Sequence, residues 1–208
     1  MEVVSVTADA ETFTCNAYLV LGERTVLVDA GTMPGVEAVV AEHTDDLDAV
    51  VVTHQHSDHV GELDAVVERF DPDVYAYADH PLRTHELGDG DHVEMGDESF
   101  EAVYTPGHAD DHVSLVSGRS LFSGDVFVYN DGAFDDGSFG RTDMPGQSRE
   151  RLISSLHTLS DRLPSTVEAL YAGHGDPFEN EAGGDTVRDA LERAIERAER
   201  REPKYPEE

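Results

Sequence analysis

Val50-Val51-Val52-Thr53-His54-Gln55-His56-Ser57-Asp58-His59 is the stretch on which the reading of this chain turns. Four side chains able to bind a metal, His54, His56, Asp58 and His59, fall within six consecutive positions. On an α-helix His54 and His56 lie about 200° apart around the axis and cannot meet at one ion. On a straight strand His54, His56 and Asp58 share a face, but His59 points to the other. A loop at the carboxyl end of a buried strand can aim two of the four at one ion and two at a neighbour. The spacing therefore predicts a two-metal site seeded where a strand over residues 49–52 ends. The competing reading is a cluster of solvated loop residues. Chance would produce His-x-His-x-Asp-His in only about 0.003 of chains of this composition, so the metal reading prevails.

Working outward, residues 49–52 are apolar and almost all β-branched, as suits a strand buried on both faces. Before them, strands are expected over 3–6, 14–21 and 25–29, with Gly22-Glu23 turning between the last two. Pro34 opens a helix running to residue 43. After the metal loop, residues 61–70 form a helix with Leu63, Val66, Val67 and Phe70 on one stripe. A strand follows over 74–77, then a short helix or turn over 79–86. Further strands fall at 100–104, 113–116, 120–122 and 167–171. Helices cover 149–159 and, at the end, 185–201, before a tail at 202–208 that should fray. Residues 132–146, rich in Gly, Asp and Pro, read as a long loop, a feature that in compact domains is often functional. Strands and helices alternate in both halves, which predicts an α/β architecture of two packed sheets with helices outside, in a single domain spanning 1–208.

Composition bounds the partners. The chain carries 14 basic and 45 acidic residues, a formal charge of −31, and its one lysine is Lys204. Acidic residues spread along the whole length between apolar segments, so the acid is surface and not disorder. Such self-repulsion is relieved by salt, because the screening length shrinks from about 30 Å at 0.01 M to about 3 Å at 1 M. A halophilic protein is expected. With no cluster of Lys or Arg, a nucleic-acid partner is not expected. The single cysteine, Cys15, excludes an internal disulfide and fits a reducing compartment. No apolar run of about 18 residues points to a membrane, and cytoplasmic placement is the expectation. Oligomeric state is left open.

Three later segments repeat one design, an apolar strand, a small-residue turn and then a ligand type. They are Tyr104-Thr105-Pro106-Gly107-His108, Phe122-Ser123-Gly124-Asp125 and Tyr171-Ala172-Gly173-His174-Gly175. Each alone is weak. With the metal loop they bring the donors to seven, the number that two ions sharing a carboxylate need.

Residues 28–175 carry, in order, Val28-Asp29-Ala30-Gly31, the Thr53 to His59 loop, Thr-Pro-Gly-His at 105–108, Ser-Gly-Asp at 123–125 and Gly-His-Gly at 173–175. That ordered set resembles the metallo-β-lactamase superfamily of hydrolases. The resemblance implies a four-layer αββα sandwich with metals at the edge between two sheets. By it, His54, His56 and His108 hold the first metal, Asp58, His59 and His174 the second, and Asp125 bridges both. Asp29 is the carboxylate that orients this set. Gly140-Arg141-Thr142-Asp143-Met144-Pro145-Gly146 and Ser155-Leu156 are similar to the small glyoxalase II-like hydrolases, and persulfide dioxygenases carry a similar Gly-Arg-Thr-Asp segment. Two departures stand out. Gly61-Glu62 replaces the usual glycine pair, and too few residues follow His174 to supply the helical domain that binds glutathione in full-length glyoxalase II. Residues 105–112 also resemble a segment of a superfamily branch with ribonuclease activity.

These features imply a metal-dependent hydrolase of small thioesters, glyoxalase II-like. Two divalent ions lower the pKa of a shared water from 15.7 to about 7, so a metal-bound hydroxide can attack the acyl carbonyl. The second ion stabilises the oxyanion. Asp58 is both ligand and orienter of the nucleophile, the one catalytic residue assigned. Imidazole suits zinc, while mixed His/Asp sites also accept iron or manganese. An iron-dependent persulfide dioxygenase and a phosphodiesterase or ribonuclease remain as alternatives. Several residues are given bland roles. Cys15 reads as a small buried hydrophobe and His112 as a packing residue or a contact behind the site. His43, His80, His85, His92 and His157 read as surface. Arg141 is either a salt-bridge partner or an anchor for a substrate carboxylate. Phe127, Tyr129, Phe134 and Phe139 line a pocket or close the core.

Overall fold

The computed structural model describes residues 1–180 and 182–204. The chain falls into two compact units, the first reaching Phe100 and the second beginning at Glu101.

The first unit contains β1 (Glu2–Ser5), β2 (Tyr18–Leu21), β3 (Val26–Val28), α1 (Val36–His43), β4 (Ala49–Val51), α2 (Ser57–Val60), α3 (Leu63–Phe70), β5 (Asp73–Ala76), β6 (His85–Glu86) and β7 (His92–Met95). Its sheet runs β1-β2-β3-β4-β5-β6. The β1–β2 and β2–β3 pairs are antiparallel hairpin neighbours. From β3 onward the pairing is parallel, with Val28 opposite Val51 and Val51 opposite Tyr75. All three residues of β4 are buried, as its unbroken apolar run requires. Helices α1 and α3 bury Val36, Val40, Leu63 and Val66 in one core with Leu27, Val50 and Val74.

β8 (Glu98–Tyr104) carries the chain into the second unit. There follow β9 (Val113–Val116), β10 (Ser120–Gly124), β11 (Phe127–Val128), β12 (Ser138–Phe139), α4 (Arg149–Arg162), β13 (Ala169–Ala172), β14 (Phe178–Glu179) and α5 (Val187–Glu199). Strand neighbours run β14-β13-β10-β9-β8, and the β10–β13 pair is parallel. Leu152, Leu156 and Leu159 of α4 and Ala190, Leu191 and Ala194 of α5 share a core with Phe127, Phe139 and Leu170. The spacing of three and four residues puts each set on one helical stripe. Thr186 and Asp189 form a reciprocal capping box, with Thr186 N–H donating to Asp189 Oδ2 at 2.9 Å and Asp189 N–H to Thr186 Oγ1 at 3.2 Å. That cap starts α5 at Val187 and not at residue 185.

Four local expectations change. Residues 57–60 form a helical turn inside the metal loop, begun from extended backbone at His56. Residues 79–86 close on β6, which pairs in parallel with β5. The 132–146 loop contains β12, whose Phe139 pairs with Phe127 of β11. Two-residue strands carry no readable period, and burial of the two phenylalanines is what forms them. Finally, the expected fraying does not reach Lys204. Its side chain is 4% exposed, lies 2.5 Å from Asp131 Oδ2 and donates to the carbonyl of Phe139. Residues 205–208 lie outside the described residues. No helix among the described residues is long and apolar enough to cross a membrane.

Candidate metal centre

In the first unit two of the four neighbouring donors, His54 and His59, are oriented from one buried carboxylate. Asp29, 1% exposed, follows β3 and adopts φ +58°. Its Oδ1 accepts from Thr53 N–H at 2.8 Å, and its Oδ2 accepts from the Thr53 hydroxyl at 2.7 Å and from His59 Nδ1 at 2.8 Å. With its proton given to Asp29, the Thr53 hydroxyl can only accept from His54 Nδ1, 3.2 Å away. Both imidazoles are thereby set with the proton on Nδ1 and the lone pair on Nε2, the arrangement a metal-binding histidine needs. The loop backbone is pinned too. Cys15 N–H donates to the carbonyl of Asp58, and Ala30 N–H to that of His59. His54 Nε2 and His56 Nδ1 then stand 3.0 Å apart, and Asp58 Oδ2 is 3.9 Å from His59 Nε2.

The second unit assembles its donors from three strand ends. His108 follows β8, Asp125 follows β10 and His174 follows β13. His108 Nε2 and His174 Nε2 each lie 3.3 Å from the same atom, Asp125 Oδ2. His108 Nδ1 is 3.0 Å from the carbonyl of Arg141, which can only accept, so this ring also carries its proton on Nδ1. The 140–143 segment thus orients a ligand through its backbone.

These spacings decide between an ion site and a set of ordinary hydrogen bonds. A charge-assisted N–H···O contact closes to about 2.7–2.9 Å. Two donors about 2.0–2.1 Å from one tetrahedral zinc stand roughly 3.3 Å apart. The two 3.3 Å contacts on Asp125 match the second figure, and His108 has already spent its Nδ1 proton elsewhere. In the second unit, then, the spacing around Asp125 is the one expected of neighbouring ligands of a divalent cation. The structure unites His54, His56, Asp58 and His59 in the first unit and His108, Asp125 and His174 in the second.

Other side chains follow their expectations or refine them. Cys15 is fully buried, but it is more than a packed hydrophobe. Its Sγ, a carboxylate oxygen of Asp29 and a ring nitrogen of His59 all lie within 4.8 Å of one another. Arg141 is a salt-bridge partner, with Nε and Nη2 donating to Asp143 at 2.5 and 2.8 Å. Those hydrogen bonds hold the Asp143 carboxyl below the usual carboxylate range. Phe127 and Phe139 are core, with Tyr129 and Phe134 packed against it. His43, His85, His92 and His157 are exposed, whereas His80 is half-buried and accepts from Leu82 N–H through Nδ1. His112 is wholly buried and accepts from Asp125 N–H, behind the site as expected. Sequence reasoning missed the Arg141 carbonyl and the Thr53 hydroxyl, since backbone acceptors and a common Thr leave no motif.

Comparison with known proteins follows the same lines. A family model described as the metallo-beta-lactamase superfamily matches residues 10–174. A hydroxyacylglutathione hydrolase of Aliivibrio fischeri (strain MJ11) is 34% identical over 154 residues, covering 72% of this chain and 56% of that protein. One from Vibrio cholerae serotype O1 is 33% identical over 153 residues, covering 71% and 56%. The chain thus spans about half the length of the curated relatives it matches. Among solved structures, ETHE1 from Myxococcus xanthus aligns with a TM-score of 0.70 at 26% identity, over 100% of this chain and 94% of that one. TTHA1623, solved in a di-iron-bound form, aligns at 0.67 and 29% identity, over 86% and 94%. The expected α/β fold is the one these proteins share.

Proposed function

This chain belongs to the metallo-β-lactamase superfamily, and on that premise we propose that it is a two-metal hydrolase of small thioesters. His54, His56 and His108 would hold one ion, Asp58, His59 and His174 the other, and Asp125 would serve both. The carrying observation is Asp125 Oδ2, set 3.3 Å from each of two imidazole nitrogens, one of them made a lone-pair donor by its ring's Arg141 contact. Divalent metal held there, zinc in this reading, would supply a water that ionises near neutral pH and a Lewis acid for the developing oxyanion. The chain's own part is orientation. Asp29 and Thr53 hold His54 and His59 in the right tautomer, the Arg141 carbonyl does the same for His108, and Asp58 aligns the attacking oxygen. A thioester suits the arrangement because its thiolate leaves without a protonated acid beside it. The hydroxyacylglutathione hydrolases support the substrate class. A cytoplasmic, salt-rich setting completes the reading.

A second reading, oxidation of a persulfide at iron, is favoured by the likeness to ETHE1 and by the Gly140–Arg141–Thr142–Asp143 segment, and the neighbour solved in a di-iron-bound form adds support for iron alone. One experiment separates the two. Metal analysis of the native protein is paired with turnover of S-lactoyl thioesters, a persulfide with oxygen uptake, and a phosphodiester. Zinc with thioester hydrolysis supports the first reading, and iron with oxygen consumption supports the second. Full activity in metal-free protein refutes both.

A further inference from the structure

Asp125 is presented by a break in its strand. β10 and β13 shift register between Phe122 and Gly124, and Gly124 takes φ +51°, a left-handed turn that glycine makes without a Cβ clash. Such a bulge re-aims the side chain that follows it. Left alone, it would be a soft point, because a register break frees backbone groups from the ladder.

Here a closed run of buried side chains braces it. Asp125 N–H donates to His112 Nε2 at 2.9 Å. His112 Nδ1 lies 2.8 Å from Thr105 Oγ1, which lies 3.0 Å from Ser114 Oγ. Ser114 Oγ donates to the carbonyl of Ser123 at 3.2 Å. The run leaves the backbone on one side of Gly124 and returns to it on the other. His112, Thr105, Ser114 and Ser123 are all 0% exposed, so water cannot substitute for any of these partners. The directions of the first two bonds follow from one fact. A backbone N–H only donates, so His112 Nε2 must accept, its proton must sit on Nδ1, and Thr105 must receive it. Thr105 keeps its own proton for Ser114 Oγ at 3.0 Å or the carbonyl of Val103 at 3.4 Å.

We propose that His112 is a positioning residue for the metal centre. Its neutral imidazole, steered by Thr105, fixes the backbone at the bulge and so the direction in which the Asp125 carboxylate meets His108 and His174. The inference rests on Asp125 being a metal ligand, as read above. His112 touches neither substrate nor ion and acts through the Asp125 backbone.

The test uses the full chain and three variants. His112→Phe keeps a ring of similar size and removes both nitrogens. His112→Gln keeps an acceptor oxygen near the reach of Nε2. Thr105→Val leaves the imidazole but takes away the group that steers it. Zinc affinity is read by competition with a chromophoric chelator, and protection of the Asp125 amide by hydrogen exchange on metal-free protein. His112→Phe should lose about 10–100-fold in affinity, the usual effect of removing a partner that orients a ligand, with faster exchange at Asp125. His112→Gln should recover most of both, and Thr105→Val should fall between. If His112→Phe folds and binds zinc as tightly as the wild type, the inference is overturned while the metal reading stands. If His112→Phe does not fold, unchanged affinity in Thr105→Val overturns it equally. A wild-type protein that binds no zinc overturns the metal reading, and this inference with it.

Discussion

The two donor sets are organised in opposite ways. Those of the first unit are four near neighbours in one loop, two of them, His54 and His59, oriented by the side chain of Asp29 directly or through Thr53. Those of the second come from the ends of β8, β10 and β13 and are held by backbone, through the Arg141 carbonyl and the braced Asp125 N–H. A local cluster can be set by one buried carboxylate because chain connectivity has already brought its members together. A dispersed set must first be assembled by the sheet, and its accuracy depends on where strands end.

That contrast can be broken, and the largest effect should come at the dispersed set. Asp125→Ala removes the oxygen that both imidazoles face. Thioester kcat/KM should fall by about 10³-fold or more, about 4 kcal/mol of transition-state stabilisation, with metal lost and circular dichroism unchanged. Retained turnover would show that the second unit's donors are not the reacting centre.

Next comes the local set. Asp29→Asn tolerates the φ of +58°, since Asn visits that region readily, so only hydrogen bonding changes. Its one amide oxygen cannot fill both carboxylate positions, so either Thr53 N–H or the Thr53 hydroxyl and His59 Nδ1 would face an NH2 group that cannot accept. The cost should be about 3 kcal/mol for buried groups left unpaired, seen in the urea midpoint, together with at least tenfold weaker metal binding.

A third comparison lies inside one loop. A Cβ on Gly140 would sit 1.8 Å from the carbonyl of Asp125, whereas one on Gly132 would meet nothing within 4 Å. Gly140→Ala should cost about 1–3 kcal/mol by overpacking and weaken metal binding. Gly132→Ala, at φ +82°, should cost about 1 kcal/mol and leave metal binding intact. Equal metal affinities would show that backbone approach at Gly140 does not matter to the site.

Lys204 offers a smaller test by pH. Burial raises the Asp131 carboxyl, but Lys204, the Ser138 hydroxyl and the Ala133 N–H together outweigh it and hold that group below its ordinary value. Its contribution is therefore present above about pH 4 and lost as pH falls further. Lys204→Met should flatten the acid limb of a thermal-stability profile, because the Asp131 carboxyl then loses the cation that helps to hold it low. Salt should distinguish the two units least. The charge of −31 is spread over both, so raising salt from about 0.05 to about 3 M should stabilise both together. Indifference of circular dichroism and activity to salt would end the halophilic expectation.

Much of the fold was legible because its signals are local. The apolar run before His54 and the stripes of α3 and α5 have periods that a linear reading detects. The helical turn at Ser57–Val60 was not legible, since four polar-rich residues carry no period. Nor were β11 and β12, which exist because Phe127 and Phe139 bury each other. All seven donors were visible as residue types, and Asp29 was visible through the resemblance. What orients His108 could not be read, because any residue at position 141 has a carbonyl.

By itself the sequence determined which side chains can bind metal, that four of them crowd one loop, and that glycine stands where the chain must turn. Those are properties of residue identity and short spacing. Only the tertiary structure decided which ring nitrogen of His54, His59, His108 and His112 keeps its lone pair. A tautomer is set by the acceptor or donor that packing brings to the other nitrogen, and no spacing along the chain encodes that neighbour.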